Sequence, residues 1–151
     1  MSETVRVEVL RLPSSTDLPL PAYGTSGAAG LDIRAAVQDE RRIEPGATEV
    51  VPTGLALAIP PGWEAQIRPR SGLAVQHRIT LINSPATIDS DYRGEILVPL
   101  INLGTDPFAI SRGMRIAQLV FAPVATAVMV EVSELRPSVR GESGFGHTGL
   151  D

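Results

Sequence analysis

The chain has 151 residues, 43% hydrophobic and only 4% aromatic, so aliphatic side chains must fill the core of one ordinary domain. It has no cysteine, and all 13 of its basic residues are arginine. The lack of cysteine and lysine excludes thiol catalysis, disulfides, a Walker-A phosphate loop and Schiff-base chemistry. With only 2 histidines, a histidine-built zinc site is not expected.

A net charge of −4 argues against binding to nucleic acid polymers. A phosphate ligand would have to be held by local arginines and a divalent cation, which favours a small nucleotide. No apolar run is long enough to cross a bilayer, and the N-terminal residues alternate charged and aliphatic side chains, unlike a signal peptide. We therefore expect a cytoplasmic protein with no nucleic acid or membrane partner.

Short alternating segments, separated by turns rich in glycine and proline, follow one another along the chain. They predict strands over residues 5–9, 31–35, 48–51, 54–59, 63–68, 79–82, 95–102, 107–110, 116–123 and 127–132. The one helical candidate is Ser71–His77, and Pro99 predicts an edge or a bulge in its strand. This pattern predicts an all-β sandwich or barrel.

The C-terminal segment, residues 140–149, combines four glycines with one arginine and one phenylalanine and shows no apolar period. Glycine lets a backbone close over a ligand, Arg140 can bind a phosphate, and Phe145 offers a flat face to a base. Residues 144–149 match G-x-G-x-x-G, but without the strand, helix and acidic residue that a dinucleotide site needs. We predict a barrel domain over residues 1–135 and a flexible arm over residues 136–151.

Three upstream segments place polar side chains next to turns. Asp32 lies just inside a strand, where a surface ion pair is the simpler interpretation. Arg70 and Ser71 directly precede the predicted helix, where they can either cap it or bind an anion. Gln118 has donor and acceptor capacity and could hold a water or a phosphate oxygen, and the alternative is a polar residue on the wet face of a strand.

Residues 83–94 form the most informative internal segment. They predict a hairpin with Asn83 before the bend, two carboxylates after it and then Tyr92. A hairpin backbone presents N–H and C=O groups in a fixed pattern that can bind one base edge. Asp89 is a candidate general base for water and Tyr92 a candidate platform for a sugar ring. An acidic surface turn is the alternative.

Taken in order, five segments resemble the motifs of the trimeric deoxyuridine triphosphatases (dUTPases). The segments are residues 29–35, 69–74, 83–96, 112–119 and 140–149. The resemblance implies a jelly-roll-like fold and a homotrimer in which each of three sites takes motifs from all three subunits. It also implies Mg²⁺-dependent hydrolysis of dUTP to dUMP and pyrophosphate, which keeps uracil out of DNA and supplies dUMP for thymidylate synthesis.

The resemblance further implies a role for each matching residue. Asp89 would activate water, Tyr92 would stack on the deoxyribose, and Asp32 would act through water on a Mg²⁺ held mainly by the substrate phosphates. The arm would close over the ligand. The uracil contacts would be Asn83, the backbone around Ile88, Phe145 and the adjacent Gly146. The phosphate contacts would be Arg70, Ser71, Gly72, Gln118 and Arg140.

Ala86, Arg78 and Ser143 stand where the family commonly has glycine, which affects rate and affinity more than reaction type. The nearest alternative is a dCTP deaminase on the same fold, although those enzymes lack the closing arm and the Ile-Asp-x-x-Tyr arrangement. A non-catalytic nucleotide-binding regulator is a second alternative, but it would be expected to have lost Asp89 or the arm. A structural shell subunit would need no such arm.

Overall fold

The computed structural model describes residues 4–142. Within that range the chain forms eleven β-strands, one α-helix and one 3₁₀ turn over Pro13–Ser15. The helix is α1 (Ser71–His77). The strands are β1 (Glu8–Arg11), β2 (Ala22–Tyr23), β3 (Leu31–Arg34), β4 (Arg41–Ile43), β5 (Thr48–Ala58), β6 (Trp63–Arg68), β7 (Ile79–Leu81), β8 (Ala86–Ile88), β9 (Glu95–Asn102), β10 (Phe108–Ile110) and β11 (Arg115–Pro123).

Two antiparallel sheets supply the core. One has the order β1-β5-β9-β7 and the other β2-β3-β11-β6-β8, while β10 and β4 form a small pair. Inward-facing aliphatic residues of both sheets, such as Ile67 in β6 and Val98 in β9, are fully buried in one shared cluster. The predicted jelly-roll-like, all-β fold with one short helix is confirmed. No helix among the described residues is long and apolar enough to span a membrane.

A β-bulge in β5 joins the two strands that the sequence predicts over residues 48–51 and 54–59. Gly54 occupies the bulge with φ +66°, and its N–H donates to Glu95 Oε1 at 2.7 Å. Its carbonyl accepts from Ser15 Oγ at 2.6 Å and from the Leu12 N–H at 2.8 Å. Because the N–H and the carbonyl of Gly54 both have partners, the bulge is accommodated and β5 runs as one strand from Thr48 to Ala58.

Two predicted strands differ from the structure. β1 begins at Glu8 rather than at residue 5, because β5 ends at Ala58, opposite Glu8. Residues 5–7 therefore have no strand beside them in that sheet. The strand predicted over residues 127–132 is wrong for the described chain, where these residues have no regular structure and are exposed. Val128 and Met129 are 84% and 92% exposed.

Pro99 does not lie on an edge strand, because β9 is paired with β5 on one side and β7 on the other. The Pro99 carbonyl accepts from the N–H of Ile82, the residue after β7, at 3.1 Å. In an antiparallel pair the N–H and C=O of one residue face the same neighbour. The position where Pro99 lacks an N–H therefore faces Ile82, just beyond the end of β7, so no hydrogen bond of the strand pair is lost. The bulge lies in β5 and not at the proline.

Arg78 ends the helix in the left-handed conformation, with φ 59°. Its N–H donates to the Ala74 carbonyl at 3.1 Å, and its carbonyl accepts from the Leu103 N–H at 2.9 Å. Glycine adopts this conformation without strain, which gives a physical reason for the glycine that the family commonly has here.

We expect Gly54→Ala to lower the free energy of unfolding by about 3 kcal/mol or more. A Cβ at this position would lie 2.3 Å from Ser15 Cβ, and φ +66° disfavours a side chain in any case. Urea denaturation of the variant and the wild type measures the difference.

The matched control is Gly46→Ala. Gly46 also has a positive φ of +78°, but a Cβ there would meet nothing within 4 Å. This variant should lose only the backbone contribution, about 1–2 kcal/mol. Equal losses in the two variants would contradict the packing argument.

Candidate active site

Asp32 is the centre of a charged cluster where β6 ends and β11 begins. Its Oδ1 atom accepts a hydrogen bond from Arg70 Nε at 3.1 Å, and its Oδ2 atom accepts one from Arg115 Nη1 at 3.1 Å. Arg70 Nη1 also donates to the Arg115 carbonyl at 3.2 Å. We call Asp32, Arg70, Arg115 and the neighbouring Gln118 the arginine cluster. Two guanidinium groups and one carboxylate give it an excess positive charge, which suits an anionic ligand.

Gln118 belongs to the cluster through strand pairing. On β11 it lies directly opposite Asp32 of β3 and, on its other side, opposite Arg68 of β6. Gly30 leaves room for its side chain, since a Cβ on Gly30 would lie 3.1 Å from Gln118 Cβ. The glycine in the lead-in to β3 thus has a packing role that the sequence alone does not indicate.

Ser71 and Gly72 lie beside the cluster in the first turn of α1, and both are exposed. Arg70 has an extended backbone and occupies the N-cap position, with no side-chain cap hydrogen bond. Its guanidinium contacts Asp32 instead. The structure therefore brings together Asp32, Arg70, Ser71, Gly72 and Gln118, the residues for which phosphate and metal binding are predicted.

The second group of predicted site residues follows β8. Asp89 is exposed and lines a cavity of about 490 Å³ together with Trp63, Glu64 and Asp91. Asp91 is a second exposed carboxylate in the same loop, two residues from Asp89. Ile88, at the end of β8, is half-buried against the core and anchors the start of this loop.

Tyr92 is held by its own loop. Its N–H donates to the Asp89 carbonyl at 3.2 Å, and its hydroxyl donates to the Glu95 carbonyl at 3.0 Å. A Cβ on Gly94 would lie 2.3 Å from the tyrosine oxygen, so only glycine fits beneath the ring. Tyr92 is 44% exposed, and its hydroxyl end is fixed.

The stretch around Asn83 is not a hairpin of two mutually paired strands. β7, before it, pairs with β9 in one sheet, and β8, after it, pairs with β6 in the other. Asn83 lies in the exposed bend between them. The segment crosses from one sheet to the other because Ile79 and Leu81 are buried on one side of the core and Ala86 on the other.

One chain does not bring the two groups together. Ile88 lies opposite Ala65 on one side of β6, whereas Gln118 lies opposite Arg68 on the other. Asp89 is thus about four residues along β6 and two strands across from Gln118 of the arginine cluster. That separation is on the order of 15–20 Å between backbones.

The arm lies largely outside the described residues. Arg140 is described and exposed, near the end of the described range. Phe145 and Gly146, predicted to cover the base, lie outside that range, as does Ser143. Residues 124–142 contain no helix or strand.

The two arginines of the fourth motif have different environments. Arg112 donates to the carbonyls of Ser14 at 2.7 Å and Val37 at 3.0 Å and pairs with Asp17. Hydrogen bonds from Arg112 hold the pKa of Asp17 below its usual value, and Asp17 in turn raises the pKa of Arg112. Arg112 therefore ties loops together, while Arg115 joins the cluster at Asp32.

Arg115 is the site residue that the sequence did not single out. The available signal was the apolar pair that follows it, Ile116 and Ala117, both of which are buried. Two successive buried residues break the alternation of a regular strand and indicate a bulge. The structure has that irregularity between Arg115 and Ala117.

Comparison with known proteins identifies the family. The family model described as dUTPase matches residues 16–149. A deoxyuridine 5'-triphosphate nucleotidohydrolase of Methylocella silvestris is 56% identical over 151 residues, covering 99% of this chain and 94% of that protein. A protein of the same name from Mesorhizobium japonicum is 58% identical over 145 residues, covering 95% and 90%.

The fold agrees with this family. A mutant dUTPase of Staphylococcus bacteriophage 80alpha, solved with dUpNHpp, is similar with a TM-score of 0.88 and 26% identity. The similarity covers 97% of this chain and all of that one. All five motif segments lie within the matched residues 16–149. The chain belongs to the dUTPase family.

Proposed function

We propose that this chain is a dUTP diphosphatase that converts dUTP and water to dUMP and pyrophosphate. Its family and its named relatives support this reaction and do not favour a deaminase or a non-catalytic regulator. The observation that carries the proposal is that the family match coincides with two chemically complementary groups. One is the arginine cluster for phosphates, and the other is the exposed carboxylate of Asp89 beside a cavity.

In the proposed reaction Asp89 accepts a proton from water as the water oxygen attacks the α-phosphorus. The bond between that phosphorus and the bridging oxygen of the β-phosphate breaks, and pyrophosphate leaves. Negative charge spreads over the phosphate oxygens in the transition state, so fixed cations lower the barrier. Arg70 holds the phosphate chain of the substrate in line with the attacking water. Gln118, Ser71 and Gly72 beside it contact the same phosphates. Arg140 of the arm contacts the terminal phosphate.

The residues present fit Mg²⁺ bound mainly by substrate. No group of three or more acidic or histidine side chains among the described residues could enclose a metal ion. Mg²⁺ commonly binds through one or two carboxylates, waters and substrate phosphates, and Asp32 stands next to Arg70 as such a carboxylate. When bound, the ion would neutralise phosphate charge. Asp32 would contact it through water.

Base and sugar recognition are assigned to the second group. Asn83 and the backbone around Ile88 read the uracil edge, and Tyr92 stacks on the deoxyribose and leaves no space for a 2′-hydroxyl. The fixed hydroxyl of Tyr92, bonded to the Glu95 carbonyl at 3.0 Å, supports this assignment because a fixed ring can exclude one extra oxygen. From the arm, Phe145 and Gly146 cover the base.

A homotrimer with shared sites completes the proposal. The separation of Asp89 from the arginine cluster supports a site in which one subunit supplies the carboxylate and another the phosphate contacts. The exposed apolar side chains of Val128, Met129 and Leu135 provide surface for subunit contacts. In this arrangement residues 1–135 form the barrel domain and residues 136–151 the closing arm. A cytoplasmic location fits an enzyme of the nucleotide pool.

Pyrophosphate release from dUTP, UTP, dTTP and dCTP, each with Mg²⁺ and with EDTA, tests the proposed function. We expect release from dUTP alone and only with Mg²⁺. Absence of release from dUTP would overturn the proposal, and ammonia release from dCTP would then identify a deaminase.

We expect Asp89→Asn to lower kcat by about 10³-fold while leaving the Kd for dUpNHpp within about threefold, because the amide cannot accept the proton. Single-turnover hydrolysis and calorimetric titration measure the two quantities. Asp91→Asn, which removes another exposed carboxylate of the same cavity, is the matched control and should retain activity. Equal loss of binding and turnover in Asp89→Asn would contradict the role as base.

Shared sites predict complementation between inactive variants. Asp89→Asn and Arg70→Gln should each be inactive alone, but refolding an equal mixture should restore about a quarter of the sites by random assembly. Each variant refolded alone provides the control. If the mixture stays inactive while its subunits exchange, each site draws both groups from one chain and the shared-site proposal is wrong.

A further inference from the structure

Glu95 is a half-buried residue at the first position of β9 whose carboxylate is bonded to the neighbouring strand. Its Oε1 atom accepts a hydrogen bond from the Gly54 N–H at 2.7 Å, at the bulge of β5. Among the described residues, the carboxylates that line the cavity beside Asp89 are those of Glu64 and Asp91 instead. Glu95 is therefore engaged with the fold and is not placed as a second base.

The Gly54 end of this hydrogen bond is itself held in place. The Gly54 carbonyl accepts from Ser15 Oγ at 2.6 Å and from the Leu12 N–H at 2.8 Å. The pairing register between β5 and β9 shifts at this bulge, and a carboxylate is a strong acceptor for a backbone N–H there. The side chain of Glu95 thus ties the start of β9 to an anchored point of β5.

The backbone carbonyl of Glu95 holds the ring of Tyr92. It accepts from the Tyr92 hydroxyl at 3.0 Å. The ring lies over Gly94, where a Cβ would be 2.3 Å from the tyrosine oxygen. A shift of the first residue of β9 would therefore move the acceptor that fixes the ring. One residue links the β5 bulge, through its side chain, to the tyrosine, through its carbonyl.

We propose that Glu95 is a positioning residue for sugar recognition, which acts through Tyr92 and sets how strictly the site excludes a ribose. This inference rests on the proposed function, in which Tyr92 stacks on the deoxyribose. Rejecting one extra hydroxyl requires a ring held to within about 0.5 Å. Without the Glu95 carboxylate, the Gly54 N–H loses its acceptor and the start of β9 loses its anchor. The ring can then shift and admit the 2′-hydroxyl.

Thr53 makes a matched contact that does not involve Glu95 or Tyr92. Its Oγ1 atom donates to the Ile96 carbonyl at 2.7 Å and accepts from the Leu55 N–H at 3.2 Å. Thr53 is buried and joins the same two strands at the same bulge. Removing its hydroxyl should destabilise this region while the hydrogen bond between Glu95 and Gly54 stays. Variants at the two positions therefore separate a positioning role from a contribution to stability.

The experiment measures the Kd values of dUMP and UMP by calorimetric titration, and their ratio gives the sugar selectivity. We expect Glu95→Ala to lower the preference for dUMP about fivefold to tenfold, on the scale of one hydrogen bond. Glu95→Gln keeps an oxygen acceptor for the Gly54 N–H and should retain the preference within about twofold. Thr53→Val should lower the melting temperature but keep the selectivity of the wild type.

A double-mutant cycle tests whether Glu95 acts through the tyrosine. Tyr92→Phe lacks the hydroxyl that the Glu95 carbonyl holds, so it should lose selectivity as Glu95→Ala does. Adding Glu95→Ala to Tyr92→Phe should cause no further loss of selectivity, because the two changes remove the same constraint. Additive losses would show that Glu95 does not act through the tyrosine hydroxyl and would overturn the proposal.

Three other outcomes would overturn it. They are unchanged selectivity in Glu95→Ala, equal losses in Glu95→Ala and Thr53→Val, and a wild type that binds dUMP and UMP equally well. If Glu95→Ala unfolds, as thermal melting would reveal, Glu95→Asp takes its place, because its carboxylate is one methylene shorter and should also lose selectivity. Neither ligand requires turnover. A wild type that prefers dUMP but does not hydrolyse dUTP would therefore contradict the proposed reaction alone.

Discussion

The bulge in β5 fixes how the two sheets meet, and the position of the site follows from it. The Gly54 N–H donates to the side chain of Glu95 in the same sheet, and the Gly54 carbonyl accepts from the hydroxyl of Ser15 in the 3₁₀ turn after β1. Two residues earlier, the Pro52 carbonyl accepts from the Ala36 N–H at 2.8 Å, which holds the end of β3 against β5. Asp32 lies in β3 only a few residues before that contact. The contact next to the β5 bulge thus helps to hold β3, which carries the central carboxylate of the arginine cluster, against the other sheet.

The second bulge, at the start of the central strand β11, determines which side chains lie together at that end of the sheet. It moves Arg115 to the face that carries Gln118 and Asp32, and the result is a positive corner on a chain whose net charge is −4. A phosphate ligand responds to this local field more than to the net charge, because charges beyond about 8–10 Å are screened at physiological salt. A negative net charge disfavours the binding of long nucleic acids but is therefore compatible with the binding of a single nucleotide.

The parts of the fold that the sequence predicted are those set by local patterns. Trp63–Arg68, Glu95–Asn102 and Ser71–His77 have the expected bounds because alternation or turn residues mark both ends. β2, β4 and β8 were missed because they have only two or three residues and exist through pairing with distant strands. The resemblance pointed to Asp32, Arg70 and Gln118, which do lie together. Arg115 was missed because a bulge depends on register, which a sequence shows only as two adjacent apolar residues.

The strand predicted over residues 127–132 does not form in the described chain, and its side chains stay exposed. The segment has alternating aliphatic side chains, yet Val128, Val130 and Val132 are 84%, 74% and 56% exposed. Burying such side chains stabilises a protein by roughly 1.5–3 kcal/mol each, and no surface of the described chain covers them. The two groups of predicted site residues also lie apart in one chain, since Asp89 follows β8 and the arginine cluster lies on the other side of β6. Association of subunits, as proposed above, would cover this apolar segment and would let Asp89 of one copy act with the arginine cluster of another.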